Sequence, residues 1–129
     1  MNKIIDGNII ANNILNEIQI KLEEYNNKPK LGIIILGNNP ASLLYIKKKE
    51  EACKKIGINI IIKNLHINSS ENDIINIISQ MNLDDSINGI IVQLPLPKHL
   101  NEEKILNTID YYKDVDGFHI KNMGQLALN

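Results

Sequence analysis

Leu31-Gly32-Ile33-Ile34-Ile35-Leu36, followed by Gly37-Asn38-Asn39-Pro40, is the stretch on which the fold turns. A short aliphatic run with no polar alternation is the pattern of a strand covered on both faces, as in a parallel sheet. The Gly-Asn-Asn-Pro turn redirects the chain, and Pro40 suits the first turn of a helix because no amide partner is needed there. The following residues, Ala41 to Ile56, have helical spacing, and Gly57 closes them. Ile58 to Ile67 then reads as a second strand, so the unit is strand, helix, strand.

Outward from that unit the alternation continues. Before it, Asp6-Gly7 reads as a turn, and Ile9, Ile10, Ile14, Leu15, Ile18 and Leu22 recur at helical spacing through about Tyr25. Asn26-Asn27-Lys28-Pro29 ends that helix. After it, Ser69-Ser70-Glu71 opens a helix running to about Met81, Gly89 to Val92 is a third aliphatic strand, and a helix is expected from about Asn101 to Asp110. Strands alternating with helices predict a three-layer α/β domain, with a mainly parallel sheet flanked by helices.

Composition narrows the function. The chain has 129 residues, 43% apolar and 22% charged, enough for one domain with its own core. Its formal net charge is -1 and every basic residue is a lysine, so the guanidinium fork that reads phosphates and base edges is absent and no nucleic-acid partner is expected. No run approaches the roughly 18 apolar residues of a membrane span, and the N-terminus lacks a secretory pattern. With a single cysteine, Cys53, on the inner side of its helix, the protein is expected to be cytoplasmic.

Ligands of such folds bind beyond the carboxyl ends of the strands. That rule selects Gly37 to Ser42 and Gln93-Leu94-Pro95-Leu96-Pro97. The helix between carries its own signal: at 100° per residue, Ser42, Tyr45, Lys49, Ala52, Cys53 and Ile56 share one face, which should be buried. Lys47, Lys48, Lys54 and Lys55 fall on the opposite arc. Lys49 is then either a rim residue whose ammonium snorkels to water, or an amine directed into a cleft beside Tyr45 and available for proton transfer.

A second cluster is Lys113-Asp114-Val115-Asp116-Gly117-Phe118-His119. A plain Asp-Gly turn accounts for it. Alternatively, an extended backbone places Asp114 and Asp116 on one side as a binding edge. The regular oxygen ligands of a calcium loop are missing, and His66, His99 and His119 have no metal-ligand spacing, so no metal is expected. Neither Gly-x-Gly-x-x-Gly nor Gly-x-x-x-x-Gly-Lys occurs.

Taken together, Ile5-Asp6-Gly7, Gly37-Asn38-Asn39-Pro40-Ala41-Ser42, Tyr45 with Lys49, Val92-Gln93-Leu94-Pro95-Leu96-Pro97, and Lys113 to His119 with Asn122 and Gly124 resemble the amino-terminal, folate-binding domain of one family. That family is the bifunctional methylenetetrahydrofolate dehydrogenase/methenyltetrahydrofolate cyclohydrolases. The resemblance implies NADP-dependent oxidation of 5,10-methylenetetrahydrofolate and hydrolysis of the methenyl product to 10-formyltetrahydrofolate, in one-carbon metabolism. It implies that Lys49 is the catalytic amine, Gln93 holds it, and Tyr45 packs on the folate. Asp116 with Gly117 would receive the pterin, and Ser42, Leu94 and Pro95 would line the substrate.

The family continues into a Rossmann-type domain that binds NADP. Residues 1–129 would therefore be the folate-binding catalytic domain alone, with no cofactor-binding residue and at most the cyclohydrolase half of the activity. The alternative is an inactive folate-binding module. The family also implies homodimers, with a monomer expected for a chain of this length by itself. Tyr111 and Ile120 stand where the family often has proline, and Gln125 where a basic residue is common, which places the rigidity of the loop near Asp116 in question.

Overall fold

A computed structural model describes residues 5–128. Its elements run α1 (Gly7–Glu23), β1 (Lys30–Leu36), α2 (Pro40–Ile56), β2 (Asn59–Leu65), α3 (Glu71–Leu83), β3 (Gly89–Val92), α4 (Glu102–Leu106) and α5 (Ile120–Leu128). The three strands form one parallel sheet in the order β2-β1-β3. The three-layer α/β expectation holds, with β1 at the centre.

Successive side chains of β1 point to opposite faces. Ile34 and Leu36 enter the larger core with Ile74, Ile78 and Met81 of α3 and with Ile105 and Leu106 of α4. Ile33 and Ile35 enter a smaller one with Ile46 of α2 and Ile91 of β3. A strand buried on both sides has no polar position to show, and this is why 31–36 is aliphatic throughout.

Local chemistry sets the boundaries. Asp6 is the N-cap of α1, its carboxylate accepting from the amides of Asn8 and Ile9, so Gly7 already belongs to the helix rather than to a turn. Asn39 caps α2 in the same way, and Pro40 occupies its first turn. Ser70 and Asp73 form a reciprocal capping box at α3. Gly37 has φ +71, and a Cβ there would lie 2.9 Å from Ile67, so the turn out of β1 requires glycine.

Toward the C-terminus the structure departs from expectation twice more. The helix predicted to Asp110 ends at Leu106, because Asn82 of α3 draws the following turn away: its amide donates to the carbonyl of Thr108 at 2.8 Å and accepts from the N–H of Asp110 at 2.9 Å. Helix α5 was not anticipated. Ile120, Met123 and Leu126 have helical spacing, but Gly124 interrupts them and none of its residues is buried.

After α4 the chain returns to the sheet. The N–H of Ile90 donates to the carbonyl of Lys113 at 2.7 Å, and Asp114 bridges Ile90 in parallel. Gly89 permits this approach, since a Cβ there would sit 2.6 Å from Val115. Lys113 fastens the segment further, donating to the carbonyls of Met81, Asn82 and Asp84 at 3.1, 2.7 and 2.9 Å, at the end of α3. A cation there satisfies acceptors the helix leaves open. Lys113→Met is expected to lower stability by about 1–2 kcal/mol. Urea unfolding midpoints compared with those of the exposed-site variant Lys98→Met check this, and equal midpoints would refute it.

Candidate functional site at the carboxyl edge of the sheet

Helix α2 buries Ser42, Ile46 and Ile56, with Lys49, Ala52 and Cys53 half-buried. The inward stripe is thus centred on 42, 46, 49, 53 and 56, rotated by about 30° from the expected face at 100° per residue. The correction falls on Tyr45, which is 63% exposed and lies on the flank of the stripe rather than in it. Burying Ile46 removes an aliphatic side chain from water without stranding a hydroxyl, which a buried Tyr45 would have to partner. Lys49 remains on the inner side, whereas Lys47, Lys48, Lys54 and Lys55 are exposed as expected.

Lys49 meets Gln93. Its Nζ donates to Gln93 Oε1 at 3.2 Å across two elements that are 44 residues apart. Gln93 is held in turn. Its backbone N–H donates to the carbonyl of Ile34 at 2.8 Å, continuing the sheet one residue past β3, and its Nε2 donates to the carbonyl of Leu94 at 2.9 Å. With the amide nitrogen committed to Leu94, the oxygen faces Lys49 Nζ. The Leu94–Pro95 bond is cis; Leu94 packs on the larger core and Pro95 is exposed.

One turn beyond Lys49, burial pushes the Cys53 thiol above its ordinary range, against the pull of the Lys49 ammonium. That matches a structural thiol and not a nucleophile.

The two carboxylates of the 113–119 segment part company. Asp114 is half-buried and fully engaged: it accepts from the N–H groups of Gly117, Phe118 and His119 and from Nδ2 of Asn122. Burial works against its charge, but the bonds from Asn122 and the three amides outweigh it and hold the carboxyl below its ordinary range. Asp116 is exposed and makes no hydrogen bond among the described residues. Gly117 after it has φ +74. The parallel bridge at Ile90 carries Val115 to Gly117 toward the same end of the sheet as Gln93.

The histidines have local duties. His66 and His119 accept from the amides of Asn68 and Lys121, and His99 lies 3.2 Å from the carbonyl of Ser69. Among the described residues no group of three or more His, Cys, Asp or Glu could hold a metal ion, and no helix is long and apolar enough to cross a membrane.

A depression at the opposite end of the sheet is lined by Leu22, Lys28, Lys30, Asp85 and Asn88 among others, but Lys28 and Lys30 there donate to the carbonyl of Leu22 and the hydroxyl of Ser86. Smaller ones at the carboxyl edge are lined by Gly37, Asn38 and His66, and by Leu94, Phe118 and Met123. Chemistry therefore selects the carboxyl edge where concavity does not. Sequence reading missed the anchoring roles of Lys113 and Asn122; an amide five residues past an Asp-Gly pair was the available signal for the second.

Fold and site together define a parallel α/β domain with a lysine and glutamine paired at the carboxyl edge of its sheet. The chain belongs to the tetrahydrofolate dehydrogenase/cyclohydrolase family, whose catalytic-domain pattern matches residues 5–116. It is 45% identical over 130 residues to the bifunctional protein FolD of Rickettsia akari, covering 98% of this chain and 44% of that protein. Among solved structures, the bifunctional FolD of Campylobacter jejuni is 40% identical with a TM-score of 0.92, covering 95% of this chain and 45% of its own. The Trypanosoma brucei methylenetetrahydrofolate dehydrogenase-cyclohydrolase, solved with NADP cofactor and inhibitor, is 29% identical with a TM-score of 0.91, covering 96% and 43%. The chain spans about half the length of the relatives it matches.

Proposed function

We propose that residues 1–129 are a folate-binding catalytic domain that hydrolyses 5,10-methenyltetrahydrofolate to 10-formyltetrahydrofolate, with Lys49 as the catalytic amine. The observation that carries this reading is the 3.2 Å Lys49–Gln93 hydrogen bond at the carboxyl edge of the sheet. The methenyl carbon bridges N5 and N10 as an amidinium-like cation. Water adds to it, forming a C–O bond; Lys49, as the neutral amine, takes one proton from the water and delivers it to N5 as the C–N5 bond breaks, while the remaining hydroxyl proton is released to solvent as the C=O of the formyl group on N10 forms. Gln93, locked by Leu94, keeps the amine aimed at that carbon.

Tyr45 has the exposure needed to lie against the aromatic body of the substrate. Asp116, which accepts from no donor among the described residues, suits the two N–H groups of the pterin's aminopyrimidine edge, and Gly117 lets the backbone turn beneath it. Ser42, Leu94 and Pro95 would line the remaining wall.

The NADP of the family does not fit the residues present. Gly37 in the turn after β1 packs against Ile67, and the α2 amides of Ala41 and Ser42 already bond to Asn39, so those two amides are not open to a pyrophosphate. We assign the cofactor to none of the described residues. The same reading places the protein in the cytoplasm and treats residues 1–129 alone as monomeric. A second reading, a folate-binding module without turnover, is favoured by the openness of the site, where Tyr45 and Asp116 both face solvent.

Decay of methenyltetrahydrofolate absorbance in the presence of the chain and of its Lys49→Ala variant separates the two. Faster decay with the chain than with the variant supports catalysis; equal decay with folate still bound supports the binding module. Asp116→Asn keeps the shape but turns donors toward donors, and is expected to weaken binding by roughly 1–3 kcal/mol. Calorimetric titration with tetrahydrofolate checks this, and unchanged affinity would return Asp116 to the role of a plain turn residue.

A further inference from the structure

The loop that presents Asp116 is closed by one carboxylate. Oδ1 of Asp114 accepts from the N–H of Gly117 at 3.1 Å and of Phe118 at 3.3 Å; Oδ2 accepts from the N–H of His119 at 2.8 Å and from Nδ2 of Asn122 at 2.9 Å. On the other side the backbone is pinned to β3 through the Ile90–Lys113 bond. Val115 and Asp116 are the two residues left between these fixed points. Asn122 is itself aimed, since its Nδ2 also donates to the carbonyl of Tyr111 at 2.9 Å, while Lys121 sits 3.4 Å from the centre of the Tyr111 ring. Tyr111 thus ties the base of the loop to the first turn of α5.

We propose that Asp114 and Asn122 are positioning residues for Asp116: they preset the backbone from 114 to 119 so that the Asp116 carboxylate meets its ligand without first having to be ordered. The proposal rests on the reading of Asp116 as the acceptor of the pterin edge. Its physical basis is that a short loop fixed by bonds to three successive amides loses its conformational freedom on folding and not on binding. Both oxygens of Asp114 are taken up by donors within the protein. Its replacement should therefore lower affinity by disordering Asp116, and Asn122 should act in the same direction through Asp114.

Asp114→Asn is a sharp test, because a carboxamide has one acceptor where four donors converge. In either orientation its NH₂ opposes the donors of His119 and Asn122, or those of Gly117 and Phe118. With ¹⁵N-labelled chain, amide spectra report the loop and calorimetric titration with tetrahydrofolate reports binding. Asp114→Asn is expected to displace the amide signals of Gly117, Phe118 and His119, leave those of β1 in place, and weaken tetrahydrofolate binding by about ten-fold or more. Asn122→Ala should shift the same amides less and weaken binding less. Should Asp114→Asn fail to fold, Asn122→Asp carries the test, since it sets one carboxylate against another while leaving the three amide bonds. Displaced loop amides with wild-type affinity would overturn the positioning role and leave the Asp116 reading standing, provided Asp116→Asn still loses affinity. Absence of tetrahydrofolate binding by the unmodified chain would overturn both.

Discussion

Lys49→Met is expected to lower methenyltetrahydrofolate hydrolysis by about 10²- to 10⁴-fold, the usual loss on removing a general acid or base, while Lys48→Met leaves the rate close to its starting value. The two lysines are adjacent in sequence and chemically identical. They differ in the 100° of helix between them, which turns Lys49 toward Gln93 and Lys48 toward water. Methionine keeps the length and apolar stem of lysine, so packing against the stripe of Ser42, Ile46 and Cys53 changes little and the missing amine is what the assay reads. Initial rates of absorbance decay at saturating substrate, with calorimetric affinity measured alongside, keep binding and chemistry apart. Equal losses in both variants would mean that the orientation of α2 does not select the amine.

The second large effect concerns hydride transfer. Protein consisting of residues 1–129 is expected to produce no measurable NADPH from 5,10-methylenetetrahydrofolate, even where it binds folate. Transfer requires the nicotinamide ring to be held against the one-carbon unit, and positioning of this kind contributes roughly 7–11 kcal/mol to lowering a barrier. Nothing among these residues can supply it. The sequence has no glycine-rich phosphate turn and no arginine, and the α2 N-terminus spends its first amides on Asn39. Hydrolysis asks less, because its second reactant is water. Both reactions should be followed on one preparation, NADPH by its absorbance and methenyl decay by its own. Robust NADPH formation would show that a nicotinamide is held by residues assigned here to other work.

Both expectations follow from residues whose chemistry was legible before their surroundings were known. The strand-helix-strand order was visible because each cue is local. An aliphatic run such as 31–36 has no polar face to present, Asn39, Ser70 and Asn101 are short acceptors placed where helices begin, and Gly57 has the φ of +84 that ends α2. The strand from Gly89 to Val92 was bounded correctly for the same reason. Lys49 and Gln93 could be singled out individually, one by helix phase and the other by standing at a strand end.

Their meeting is a different matter, because it depends on β3 lying beside β1 and on α2 crossing above them. What the sequence by itself determined was the alternation of strands and helices through α4 and the candidate side chains. Only the tertiary structure decided that Ile46 and not Tyr45 fills the small core under α2, since the phase of a helix on a sheet is chosen by the side chain that fits between Ile33, Ile35 and Ile91. Only it divided Asp114 from Asp116. Two identical carboxylates two residues apart have the same local preferences, and one becomes an anchor because Ile90 pins its backbone and Asn122, eight residues on, donates to it. Periodicity and turn chemistry act over a few residues and can be read in order along the chain, whereas burial and hydrogen-bond partnership are settled between residues that the chain keeps apart.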